Sequence, residues 1–315
     1  MRERIRPLSR REVMKGAGAV VATAWLPTLT LEAQPPSQLI TDDPGASIVA
    51  LDEGVWAVIS KPLGGASPTV SNGGVVVGRD RVLVFDGFAR PEGASWVVDQ
   101  IERQFGRQPT DVVVSHHHGD HVGGLGGFAE GTDAPPRVWV TQSIKDRVQP
   151  TARGAAGDLL EAATVLAATT PTTIDLGGRQ VELTPMSGHT PSDVVGRLGD
   201  QVTFCGDLVW NDLFPNYMDA VPTQLRRTVT TVIGDGARVH VPGHGPLPTR
   251  ERLRHYSEVI DLMEELGRRS FEAGTAPAAA AVELTELPES VGGWTLFSPR
   301  YFETAIAAWH RELNQ

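Results

Sequence analysis

The chain has one cysteine, Cys205, in 315 residues. No internal disulfide framework is therefore possible. Positive charge is also scarce: 28 Lys and Arg stand against 38 Asp and Glu, a formal net charge of −10. That balance disfavours a nucleic-acid partner, since phosphate binding needs a basic surface. The uncharged run from Gly16 to Leu26 is too short to span a bilayer as a mature helix. No cysteine lies near it, which excludes a lipoprotein anchor, so no stable membrane anchor is expected. There is no internal repeat at a solenoid period. What remains, at 40% hydrophobic and 21% charged, has the composition of a soluble globular protein.

The first residues differ from the rest. Arg2, Arg4, Arg6, Arg10, Arg11 and Lys15 precede the Gly/Ala/Val-rich run, which Pro27 closes. A basic stretch before a short apolar one is the pattern of an export signal. Ser9-Arg10-Arg11-Glu12-Val13-Met14-Lys15 resembles the twin-arginine type, with Val13 and Met14 in place of Phe and Leu. The expectation is a signal over 1–33, a polar, Pro-rich linker over 34–46, and a single catalytic domain over 47–315, acting in the periplasm or otherwise exported. The plainer alternative is an uncleaved basic arm.

Against these absences stands one concentration: His116-His117-His118-Gly119-Asp120-His121. Four of the six fit His-x-His-x-Asp-His. Three imidazoles and a carboxylate in one short turn cannot all hydrogen-bond one another comfortably, but all can bind metal, zinc first and iron or manganese less selectively. The apolar, β-branched stretch Asp111-Val112-Val113-Val114 precedes them and reads as a buried strand. The ligands thus hang on the loop leaving a strand's carboxyl end, where sites on α/β sheets gather.

Elsewhere the pattern alternates between strands and helices. Ile48 to Ser60 reads as a strand or hairpin, and Lys61 to Gly74 as a long loop. Val75–Val77 and Val82–Phe85 read as a hairpin around Gly78-Arg79-Asp80-Arg81. Ser95–Phe105 has helical spacing, Val138–Val140 reads as a strand and Asp158–Ala168 as a helix. Strands are expected near 173–176, 180–183, 194–198, 202–204 and 237–241. Helices are expected over 223–233, 250–272 and 299–313. Two sheets with helices packed outside satisfy this order.

Three further positions repeat one arrangement, an apolar strand, a glycine and then a metal-type side chain. His189 lies in Met186-Ser187-Gly188-His189-Thr190-Pro191, Asp207 in Phe204-Cys205-Gly206-Asp207, and His244 in Val241-Pro242-Gly243-His244-Gly245-Pro246. Each alone reads as an ordinary turn residue; together with the His-rich run, four strand ends offer seven ligands.

In these motifs, from about Ile48 to His244, the chain resembles the metallo-β-lactamase fold superfamily. The resemblance implies a four-layer αββα sandwich of the α/β class. It implies two divalent metal ions: His116, His118 and His189 hold the first, Asp120, His121 and His244 the second, and Asp207 bridges them. Asp86 matches the family's early strand-end aspartate, which holds a ligand imidazole from behind; its plainer reading is a turn cap. The ligand set is similar to that of glyoxalase II and the lactonases. The second metal lacks the cysteine that one lactamase branch uses.

The resemblance implies a zinc-dependent hydrolase of a small ester, lactone, thioester or β-lactam, with Asp120 orienting the attacking hydroxide. A mononuclear iron oxidoreductase of the persulfide dioxygenase type is the alternative on the same fold. Trp210, Phe214 and Tyr217 either form a pocket wall or pack against the C-terminal helices. Cys205 reads as a small buried core thiol. His240, His255 and His310 match no ligand position.

Overall fold

A computed structural model describes residues 38–42, 45–61, 67–132, 134–282, 294–295, 298 and 300–315. The expected export signal lies outside the described residues. No helix among them is long and apolar enough to cross a membrane.

Eight strands form the first sheet in chain order: β1 (Gln38–Asp42), β2 (Ala46–Asp52), β3 (Val55–Ser60), β4 (Gly73–Val77), β5 (Val82–Phe85), β6 (Asp111–Val113), β7 (Arg137–Thr141) and β8 (Thr164–Leu166). β1 to β5 are antiparallel neighbours, and β5 to β8 run parallel. The second sheet has β9 (Thr172–Asp175), β10 (Gln180–Met186), β11 (Asp193–Leu198), β12 (Val202–Phe204) and β13 (Val239–Val241), in the order β13-β12-β11-β10-β9. Only β12 and β13 are parallel there.

The sheets face each other through aromatic side chains. Phe85 of β5 stacks on Phe204 of β12 with ring centroids 5.4 Å apart. Gly74 makes room for this, since a Cβ there would come 1.9 Å from the Phe204 ring. Glycine is needed where an aromatic ring lies this close to a strand's backbone. Gly73 and Gly74 therefore belong to β4, paired with Val58 and Ala57, and not to the loop expected there.

Helices cover both outer faces. On the first sheet's side lie α1 (Pro91–Phe105), α2 (Gly119–Val122), α3 (Gln142–Val148) and α4 (Gly154–Glu161). α1 starts earlier than its apolar spacing suggests, because Pro91 is pre-set for a first helical turn. It buries Val97, Val98 and Ile101. On the other side lie α5 (Pro222–Ile233), α6 (Arg250–Glu272), α7 (Pro277–Val282) and α8 (Tyr301–Leu313). A second core forms there around Val229, Tyr256, Met263 and Phe302. The result is the four-layer αββα sandwich.

Two sequence expectations need correction. The single helix expected over 158–168 is a helix ending at Glu161 followed by β8. Leu159 and Leu160 bury as helix residues, but Thr164-Val165-Leu166 pairs with Trp139–Thr141 as an edge strand. A stretch that opens with two β-branched residues, Thr164 and Val165, gains more from the ladder at an open sheet edge than from another helical turn. Gln38–Asp42, expected in the linker, pairs with β2 as an exposed edge strand. Backbone pairing at an edge needs no apolar alternation, so the sequence carried no signal for it.

Candidate metal centre

Four strand ends meet at one rim of the sandwich. Asp86 follows β5, the His-rich turn follows β6, Asp207 follows β12 and His244 follows β13. His189 comes from the turn joining β10 to β11. Asp193 closes that turn, accepting from the Thr190 N–H at 3.1 Å and its hydroxyl at 2.8 Å.

All seven candidate ligands converge. His116 Nε2 lies 3.1 Å and His189 Nε2 3.0 Å from His118 Nδ1. Asp207 Oδ2 is 3.2 Å from His189 Nε2 and 3.7 Å from His116 Nε2. These four form one group able to hold an ion. Asp120, His121 and His244 form another, with Asp120 Oδ2 3.2 Å from His244 Nε2. The other Asp207 oxygen, Oδ1, turns to this second group, 3.0 Å from His121 Nε2 and 3.4 Å from His244 Nε2. Asp207 thus presents one oxygen to each group.

The donor set fits divalent ions. A tetrahedral ion with bonds of ~2.0–2.1 Å holds its ligand atoms ~3.3 Å apart, close to the spacings here. Asp207 Oδ1 is buried with no aligned hydrogen bond, despite two ring nitrogens within 3.4 Å. A buried carboxylate oxygen facing nitrogens whose N–H groups do not aim at it is costly, unless a cation sits between them.

Charge points the same way. Burial drives the His189 imidazole down to about 3, against the opposing pull of Asp207. Burial and the neighbouring His121 hold His116 well below its ordinary value too. Both are neutral, with lone pairs free for a ligand role. In the second group burial also disfavours charge, but the carboxylates win: Asp207 and Asp120 bring His244 up to about 9. Asp207, Asp86 and Asp120 raise His121 well above the usual range. Without metal this side holds protons that a cation would displace.

A family model of the metallo-beta-lactamase superfamily matches residues 66–244. The chain belongs to this superfamily. Members are metal-dependent hydrolases, and the described His/Asp groups are their kind of site.

Among relatives, the hydroxyacylglutathione hydrolase of Acidiphilium cryptum (strain JF-5) is 26% identical over 199 residues, 62% of this chain and 74% of that one. A metallo-beta-lactamase type 2 of Bacillus cereus is 25% identical over 225 residues, 68% of this chain and 82% of that one. Two solved structures share the superfamily's fold. A stereoselective inverting sec-alkylsulfatase from Pseudomonas sp. superposes with TM-score 0.67 at 16% identity over 84% of this chain, which spans 50% of the alkylsulfatase. A metallo-beta-lactamase from Pontibacter korlensis gives TM-score 0.54 at 20% identity, covering 71% of this chain and 99% of that one.

Supporting residues surround the superfamily site. Asp86 is buried; its Oδ2 lies 2.9 Å from His121 Nδ1, and its Oδ1 accepts from the Ser115 N–H at 2.8 Å. Such a carboxylate fixes a ligand ring's tautomer and angle.

Three residues that the sequence did not single out do similar work. Asp219 Oδ2 lies 3.0 Å from His118 Nε2 and 3.2 Å from His117 Nε2. Asn72, fully buried, donates to the carbonyls of Pro242 and Gly245 and so clamps the His244 turn. The Ser71 hydroxyl donates to the Asp120 carbonyl at 2.6 Å. Asp219 was findable only as an acidic residue ending the aromatic loop before Pro222; Asn72 and Ser71 gave no signal.

Of the two readings of the aromatic cluster, packing against the C-terminal helices holds for Phe214 and Tyr217, so neither is a pocket-wall residue. Phe214 and Tyr217 are wholly buried, and Phe214 meets Phe302 of α8 edge-on at 4.9 Å. Apolar rings beside two amphipathic helices gain most by completing that core. Trp210 is also buried but abuts the site, 4.2 Å from the His244 ring and 6.4 Å from that of His189. Cys205 is a buried core thiol, raised well above its ordinary value by burial. His240 bonds the Val232 carbonyl and Asp235, and His310 meets Ser270.

Proposed function

We propose that the chain is an exported, dinuclear metal-dependent hydrolase that opens a small-molecule carbonyl bond: ester, lactone, thioester or β-lactam. Seven ligand-type side chains in two groups, joined by the two oxygens of Asp207, carry the reading. That division favours two ions over the single iron of an oxygenase. His116, His118, His189 and Asp207 would hold one ion; Asp120, His121, His244 and Asp207 the other. When bound, such ions supply Lewis acidity for a carbonyl oxygen and lower the pKa of a water. Zinc suits the imidazole-rich set best, with iron or manganese as alternatives.

The protein side chains do the rest. Asp120 is held ionised: burial disfavours the charge, but His121 and His244 outweigh it and bring the carboxyl down to about 2. Its side chain is 30% exposed, whereas those of His121, His244 and Asp207 are at most 3%. It therefore sits on the open side, where it can accept a proton from an incoming water and orient it. Asp86 and Asp219 fix two imidazoles from behind, and Trp210 keeps water off the inner face of His189 and His244. The relatives named for hydroxyacylglutathione and β-lactam hydrolysis agree in reaction class, and the resemblance of Ser9–Lys15 to a twin-arginine signal supports export.

The test is metal analysis followed by a panel of β-lactams, lactones, thioesters and phosphodiesters on the loaded protein. Two zincs per chain and carbonyl hydrolysis lost in Asp120→Ala are expected. One iron per chain with persulfide oxidation, or an Asp120→Ala variant as fast as the parent, would overturn the reading.

A further inference from the structure

We propose that the cavity between the His-rich turn and helices α3 and α4 is a carboxylate-recognising subsite of the metal centre, with Arg147 as the residue that selects the substrate's anionic group. The inference rests on the hydrolase reading and adds a substrate class to it: carbonyl compounds carrying a single negative charge.

The cavity has a volume of about 590 Å³ and reaches from Pro91 and Gly126 to Leu160. Small-molecule sites typically measure ~300–1,000 Å³. Its wall beside the metal ligands is His117 and Gly119. The His117 ring lies 4.8 Å, centroid to centroid, from that of His118, and the two rings share Asp219 Oδ2. A ligand filling the cavity is thus one side chain away from the first ligand group. Gly119, between His118 and Asp120, leaves this rim open, for a Cβ there would meet nothing within 4 Å.

Three charged residues line the cavity: Glu130, Arg147 and Arg153. Two of them are engaged. The Glu130 carboxylate accepts from the Ser95 hydroxyl at 2.8 Å. The Arg153 guanidinium donates to the carbonyls of Pro150 and Ala152 at 2.9 and 2.7 Å. Arg147 is exposed in α3, and no described residue forms a hydrogen bond or ion pair with its guanidinium.

The Arg147 guanidinium lines this cavity and has no hydrogen-bond partner among the described residues. Its planar fork matches a carboxylate in two parallel hydrogen bonds. Among the described lining residues Arg147 is the one cation without a hydrogen-bond partner, and with the Glu130 carboxylate in the same lining it favours a monoanion over a doubly charged phosphate. The remaining wall, Val122, Val148, Leu160 and several alanines, would take a short apolar chain.

The experiment uses two matched esters on the metal-loaded protein: 4-nitrophenyl hydrogen glutarate, which is anionic, and 4-nitrophenyl butyrate, which is neutral. The proposal expects Arg147→Ala to lower the anionic-to-neutral ratio of kcat/KM by about tenfold or more, as loss of one charge-assisted contact does. Arg147→Glu should lower it further, and Arg147→Lys should restore part of it. An unchanged ratio in Arg147→Ala overturns the proposal. Butyrate, a monoanion, is also titrated calorimetrically into both proteins. If neither ester is cleaved, the hydrolase reading is judged by its own substrate panel, and the subsite stands or falls by this arm. Binding weakened in Arg147→Ala supports it, and equal binding overturns it.

Discussion

His118 is held from two sides: its Nδ1 faces the first ligand group, and its Nε2 lies 3.0 Å from Asp219 Oδ2. A neutral imidazole carries one proton. Asp219 keeps that proton on Nε2, which leaves the Nδ1 lone pair for metal. Asp219 comes from the far end of the loop after Asp207, so the segment that supplies the carboxylate shared by the two groups also contacts a candidate ligand of another strand end. Removing it in Asp219→Ala should weaken the tighter-bound metal about 10- to 100-fold, measured by competition with a chromogenic chelator. Equal affinity in parent and variant would show that the contact does not orient the ring.

Gly243 makes a second prediction. A Cβ there would stand 2.0 Å from Asp207 Oδ1 and 2.7 Å from the Gly206 carbonyl carbon. The glycine of the Pro242-Gly243-His244 turn thus lets the Asp207 carboxylate lie against the backbone. Gly243→Ala should displace Asp207 and leave the chain with fewer than two bound ions, read by elemental analysis of the folded, dialysed protein. Full stoichiometry in that variant would mean that Asp207 does not bridge.

The candidate ligands could be read from the sequence because each carries a local signature. His116 to His121 sit in one turn after an apolar strand, and His189, Asp207 and His244 each follow a glycine at a strand end. The residues that orient them had none. Asp219 meets His118 across 101 positions, and Asn72 reaches Gly245 across 173. Such contacts exist only once both sheets have assembled, so no spacing announces them. The same holds for Phe214 and Tyr217: an aromatic pair in a loop beside a metal site reads equally as pocket or core. Their burial was decided by α8, far along the chain. Thr164–Leu166 failed for a related reason, since pairing with β7 outweighed a helical pattern that the preceding leucines supported.

The sheet-to-sheet contact gives a third prediction. Phe204 fills the space opposite Gly74 and stacks on Phe85, with 1% of its surface exposed. Phe204→Ala should cost about 3–5 kcal/mol, because it removes buried ring area and leaves a cavity between the two sheets. Urea unfolding of the metal-free protein measures it. A loss well under 1 kcal/mol would mean that the ring does not carry the inter-sheet core.

Asp235 provides a pH test away from the metal ligands. It follows α5 and ties that helix to the second sheet. Its carboxylate accepts from the Thr203 hydroxyl at 2.5 Å, the Ala237 N–H at 2.8 Å and His240 Nε2 at 3.1 Å. Burial disfavours its charge, but the bonds from His240, Thr203 and Ala237 prevail and bring the carboxyl down to about 2. A carboxyl depressed on folding binds fewer protons folded than unfolded, so its contribution is present above the unfolded value of ~4 and lost as pH falls through ~2. Asp235→Asn removes that linkage. After allowance for solvent screening of a partly exposed group, the parent should lose about 1 kcal/mol relative to the variant between pH ~4 and ~2. Paired urea titrations at the two pH values read the difference, in which acid effects on the metal ligands cancel. A parent–variant gap that stays constant across this window would show that Asp235 is not held ionised by these bonds.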